Sequence, residues 1–160
     1  HLAAMDRPLA EFLLVLCERL SESLGLHRVT MYGVDRERGV VRRLAAVGGP
    51  MSDLPPEVPL ASVPAFVAFL AQGESTVREA GAFGPPPAAL HGVTDLFVAP
   101  LRIGDRVLGT VQGDRGGTPF ALDAEQLAFA QAVANQAAVA LEIAVLRAAV
   151  AEREGEAPRT

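Results

Sequence analysis

The sequence predicts an α+β fold: a central antiparallel sheet of five to six strands, the N- and C-terminal helices packed on one face, and a short helix and loops over the other. Three observations predict it. The chain opens and closes on amphipathic helical patterns. Between them lie two strand-turn-strand patterns. A proline-broken stretch separates the two hairpins and cannot continue either one.

Asp6 and Pro8 precede Leu9, Leu13, Leu16, Leu20 and Leu24, the pattern of a capped amphipathic helix ending at Gly25. Phe12, Leu14 and Val15 widen its apolar surface beyond one stripe, so cover on two sides is expected. His27 to Val34 has the β-branched content of a strand, Asp35 to Gly39 reads as a charged, solvated turn, and Val40 to Val47 as the returning strand.

Gly48, Gly49 and Pro50, with Pro55, Pro56, Pro59 and Pro64, then break regular structure. Ser62 is placed to cap a short helix carrying Val63, Phe66, Val67, Phe69 and Leu70, which Gly73 stops. Ser75 to Arg78 can form a short strand, and Ala80 to His91, with Gly84 and three following prolines, reads as a loop.

The clearest hairpin runs from Asp95 to Ile103, turns at Gly104 and Asp105, and returns from Arg106 to Asp114. Gly113 to Gly117 is glycine-rich but lacks the spacing of a phosphate-cradling loop, so a turn is expected. Asp123 with Gln126 makes a capping-box start. Leu127, Ala130, Ala134, Ala137, Leu141, Ala144 and Ala148 then form an apolar seam in steps of three and four, and Val133, Val139, Ile143, Val145 and Leu146 add further apolar faces.

At 160 residues, 50% of them apolar and 21% charged, the chain has the balance of one soluble globular domain. Its boundaries are placed at residues 6–150, with 1–5 an edge or linker and 151–160 a polar tail or linker. The start at His1 and the polar end suggest an excerpt from a longer chain. A net charge of −5 opposes nucleic-acid binding. The lone Cys17 rules out an internal disulfide, suits a cytoplasmic setting, and on an apolar helix reads as a small buried hydrophobe. No apolar run is read as long enough to span a bilayer, so no membrane partner is expected.

The segment Leu96-Phe-Val-Ala-Pro-Leu-Arg-Ile-Gly-Asp-Arg-Val-Leu-Gly-Thr-Val-Gln, followed by Pro119-Phe120, Asp123 and the seam through Asn135 to Leu141, resembles the C-terminal signature of GAF domains. The likeness extends more weakly over residues 6 to 148. It implies a GAF-like (profilin/PAS-like) sensory module with a sheet-floored pocket under the middle helix and loop. It further implies a homodimer through the terminal helices and a covalently linked output domain such as a kinase, phosphatase or cyclase. Relatives bind cyclic nucleotides, haem, bilins or small metabolites, and some bind nothing known.

Pocket candidates are Tyr32, Phe66, Phe69, Phe83 and Phe97, with Arg78, His91 and Asp95 as polar groups, each weighed against plain core or solvated roles. Dimer candidates are Leu9, Phe12, Leu16, Leu20, Leu127, Ala134, Ala137 and Leu141. His91 could be an axial haem ligand, a minority reading beside that of a solvated loop histidine. Cys17 lies far from the region where bilin-binding relatives attach their chromophore, so a covalent bilin is disfavoured, and no other cofactor is named. No metal-ligand spacing, nucleophile-base pair or paired carboxylates emerge, and the cysteines used by catalytic GAF relatives are missing from the corresponding loops, so no enzyme activity is expected. The alternatives carried forward are a ligand-free dimerisation module and a haem or redox sensor.

Overall fold

A computed structural model of the chain describes residues 5–49, 55–84 and 90–156. Helix α1 (Arg7–Leu24) begins where Asp6 accepts the Leu9 backbone N–H at 2.8 Å, and it ends at Gly25. Strands β1 (Arg28–Asp35) and β2 (Val40–Val47) form the first hairpin. Its turn is less exposed than a solvated tip: Asp35 is buried and accepts the Arg38 backbone N–H, while the Arg38 guanidinium is paired bidentately with Glu57.

Glu57 belongs to β3 (Glu57–Pro59), a three-residue edge strand on β2 that the proline-rich sequence conceals. A short 3-10 turn (Leu60–Ser62) leads into α2 (Pro64–Gln72). Ser62 does not cap α2. Its hydroxyl donates to the Pro59 carbonyl, and the N-cap position belongs to Val63 without a side-chain bond. Strand β4 (Thr76–Glu79) is followed by a 3-10 turn (Ala80–Phe83). Pro85 to Pro87, the centre of the expected proline loop, lie outside the described residues, as do Pro50 and residues 157–160.

Strands β5 (Asp95–Ile103) and β6 (Arg106–Asp114) form the second hairpin, with Gly104 at φ 58 in the turn, a conformation that glycine adopts freely. The sheet order is β3-β2-β1-β6-β5-β4, antiparallel throughout. Pro100 lies beyond the end of β4, so its missing donor breaks no ladder bond on that side, and its carbonyl accepts from Gln131 Nε2.

Helix α3 (Ala124–Glu156) starts on the expected capping box: Gln126 N donates to Asp123 Oδ1 at 2.8 Å and Asp123 N to Gln126 Oε1 at 2.9 Å. It runs through the residues 151–156 read as tail. By length and composition its span Ala124–Gly155 could cross a membrane, contrary to the reading that no segment has that reach. Here one side of it is packed instead. Ala130, Ala134, Ala137 and Ala138, all fully buried, let α3 lie close against the sheet, and with Leu13, Leu16 and Leu20 of α1 they cover Val29, Met31, Phe97, Ala99, Leu101 and Val111.

The central strands β1 and β6 meet at Gly109, where a Cβ would collide with the Tyr32 carbonyl oxygen. Gly109→Val is therefore expected to cost at least about 2 kcal/mol in urea unfolding, the scale of overpacking a filled interior. Gly81→Ala, whose added carbon meets nothing within 4 Å, should stay within about 0.5 kcal/mol of the parent. Equal losses at the two positions would contradict the close approach.

Candidate functional site

Residues on β1 and β6 alternate between the two faces of the sheet. On the face away from α1 and α3, Arg28, Thr30 and Tyr32 of β1 stand opposite Asp114, Gln112 and Thr110 of β6 in register. These six residues floor a cavity of about 260 Å³. Its walls are Val41 and Val58 from the β2–β3 edge, Val63 to Phe66 at the start of α2, and Ala80, Phe83 and Leu90. Leu70 of α2 packs on Leu96 and Val98, which seats the helix as a cover.

The walls are apolar and the floor is polar. Arg28 Nε donates to Asp114 Oδ2 at 3.0 Å, with both side chains largely buried. The other carboxylate oxygen accepts the Gly116 backbone N–H at 2.9 Å, which fixes the glycine-rich segment as a turn. A pair buried this way is worth little as net stability, but removing one partner strands the other charge. Thr110 donates to the Ala99 carbonyl. Tyr32 donates to the Pro55 carbonyl at 3.3 Å, and burial raises its pKa against the opposing influence of Arg43 and Arg28.

Of the pocket candidates, Tyr32, Phe66 and Phe83 line this cavity. Phe66 meets Phe83 edge-on at 5.3 Å, and Phe69 leans on Phe83 at 5.2 Å from behind the wall. Arg78 is exposed and lies over the Phe69 and Phe83 rings at 5.2 and 5.8 Å, bracing the aromatic trio from outside. Phe97 points the other way, fully buried among α1 and α3, because odd positions of β5 face the helices. His91 and Asp95 border a separate shallow depression with Glu79 and Pro119, where His91 is exposed and Asp95 accepts the Phe120 backbone N–H.

Arg28, Thr30, Gln112 and Asp114 were missed as site residues. Their signal was present in the sequence as polar residues at every second position on strands whose other face is apolar.

The cover and α3 are joined directly. Ser75, between α2 and β4, donates its hydroxyl to the Leu127 carbonyl at 2.7 Å and its backbone N–H to Gln131 Oε1 at 3.0 Å. Arg102 of β5 closes the same, C-terminal end of α2 by donating to the Leu70 and Gly73 carbonyls.

The dimer candidates divide. Leu16, Leu20, Ala134, Ala137 and Leu141 are buried inside the domain, with Leu9 and Leu127 half-buried. The seam that sequence periodicity marks thus meets its own sheet and α1. The outward apolar side chains are Phe12, Leu14 and Val15 on α1, and Phe129, Val139, Ile143, Leu146 and Val150 on α3. From Val139 onward they follow steps of four, three and four, the spacing of a coiled-coil seam. Cys17 is buried on the helix side of the sheet, away from the cavity, and burial pushes its thiol up to about 12.

The sequence model of the family described as "GAF domain" matches residues 9–143. The GAF domain/HD domain protein from Geobacter sulfurreducens superposes with a TM-score of 0.73 at 17% identity, over 86% of this chain and 94% of that one. The GAF domain from Acinetobacter phosphoenolpyruvate-protein phosphotransferase gives 0.72 at 11%, over 90% and 87%. The type II free methionine-R-sulfoxide reductase from Thermoplasma acidophilum gives 0.66 at 19%, over 83% and 94%. No curated protein matches the sequence.

Asp114→Ala should cost about 3–5 kcal/mol in urea unfolding, because it breaks a buried ion pair and removes the acceptor of the Gly116 N–H. Thr30→Val, which removes a hydroxyl facing the cavity, should change stability by less than about 1 kcal/mol. The Cys17 thiol has a higher pKa folded than its ordinary value of 9.0, so the unfolded chain gives up this proton first as pH rises. Stability should therefore fall above about pH 9, by up to about 1.4 kcal/mol per pH unit from this group. A shallower alkaline decline in Cys17→Ala, followed by circular dichroism, checks the assignment.

Proposed function

From the premise that this chain belongs to the GAF domain family, whose members are sensory and regulatory domains of signalling proteins, we propose that it binds a small molecule in the sheet-floored cavity. The cavity itself carries the reading: it combines apolar walls with a few convergent polar groups, the usual composition of a ligand site. Occupancy acts by favouring one arrangement of the α2 cover, and the Ser75 bonds to Leu127 and Gln131 pass that preference to α3. An output domain linked through the terminal helices receives it in the cytoplasm. The Geobacter protein, which pairs a GAF domain with an HD domain, and the phosphotransferase GAF domain support such a setting.

The domain acts by binding rather than catalysis, as family members generally do, although one neighbour is a reductase. Neither histidine nor cysteine lines the cavity among the described residues. A haem reading through His91 finds no support from the cavity, since His91 borders the shallow depression outside it.

The outward apolar stripes support a homodimer with a different seam from the one periodicity marks. Covering the four half-exposed side chains of that seam, Val139, Ile143, Leu146 and Val150, contributes on the order of 4 kcal/mol per copy. Two such copies reach the lower part of the roughly 4–15 kcal/mol that association costs.

Light scattering should give a dimer, and Ile143→Glu with Leu146→Glu a folded monomer whose thermal midpoint is lower than the dimer's and no longer depends on concentration. A monomeric parent at high concentration would refute the seam. Native mass spectrometry should show retained ligand, or a metabolite panel should raise the midpoint. Neither result appearing would favour the ligand-free dimerisation module.

A further inference from the structure

We propose that the cavity selects an uncharged amphiphile, a short apolar body ending in a carboxamide-like head that both donates and accepts hydrogen bonds. This rests on the cavity being the ligand site, as proposed above. Its polar floor is a square of cross-strand neighbours, with Arg28 opposite Asp114 and Thr30 opposite Gln112. The only Lys, Arg, Asp or Glu side chains lining the cavity among the described residues are Arg28 and Asp114, and these neutralise each other at 3.0 Å.

An ionised head entering here gives up its hydration and meets a charge already balanced. An anion would have to compete with Asp114 for Arg28, and a cation with Arg28 for Asp114. The neighbouring Thr30 hydroxyl and Gln112 amide each donate and accept, and neither side chain has a hydrogen-bond partner among the described residues. They match a head of mixed character. The cavity of about 260 Å³ has room for a small occupant with its chain against Phe66 and Phe83.

Hexanamide, hexanoate and hexylammonium share one chain and differ in the head, so they form the test. Each is titrated near neutral pH into the isotope-labelled chain, with backbone amide shifts giving affinity and location together. Hexanamide is expected to bind at least about ten-fold more tightly than either ion, and to move the amides of Thr30 and Gln112. In Asp114→Asn, which keeps a hydrogen-bonding group of the same shape, hexanoate should gain at least about ten-fold relative to hexanamide. If that variant does not fold, the series on the parent chain decides alone. A charged probe binding as tightly as the amide at Thr30 and Gln112 overturns the head-group assignment and leaves the ligand site standing. No shift at these residues from any of the three overturns the site and the assignment together.

Discussion

The close backbone pairing of β1 and β6 is the constraint on which the rest of the structure depends. Gly109 admits the Tyr32 carbonyl where any side chain would exclude it, and the register this sets places Arg28 opposite Asp114 and Thr30 opposite Gln112. The same register turns Val29, Met31 and Val111 toward the terminal helices. A slip of one residue would send charged groups into the alanine-lined interface and apolar ones to the floor. The two faces of the sheet are therefore specified together.

Much of this was legible in the sequence because its signals were local. Asp6 and Asp123 cap the helices they precede, and the Gly104 turn fixes the second hairpin, since caps and tight turns are satisfied within a few residues. The signals that misled were tertiary. Ala134, Ala137 and Leu141 have the periodicity of a packed seam, but periodicity does not say whether the partner is the domain's own sheet or a second copy. Strand β3 is three residues long and sits among prolines, so it depends on β2 and Arg38 rather than on its own propensity.

The site was half legible for the same reason. Tyr32, Phe66 and Phe83 stood out as the few aromatics in a chain with seven Phe and one Tyr. Arg28 and Asp114 lie 86 positions apart in sequence, and only the sheet brings them together. Phe97 differs from its neighbours Leu96 and Val98 by the parity of a strand and nothing else.

Helix α3 is also a beam. The sheet grips its first half as far as Leu141, which lies 15 residues from Glu156, about 22 Å along the axis, while Ser75 and Pro100 attach at Gln131 within the gripped part. Over such an arm a tilt of about 5° displaces the far end by about 2 Å. Adjustments at the clasp smaller than a side-chain rotamer change are magnified there to atomic dimensions.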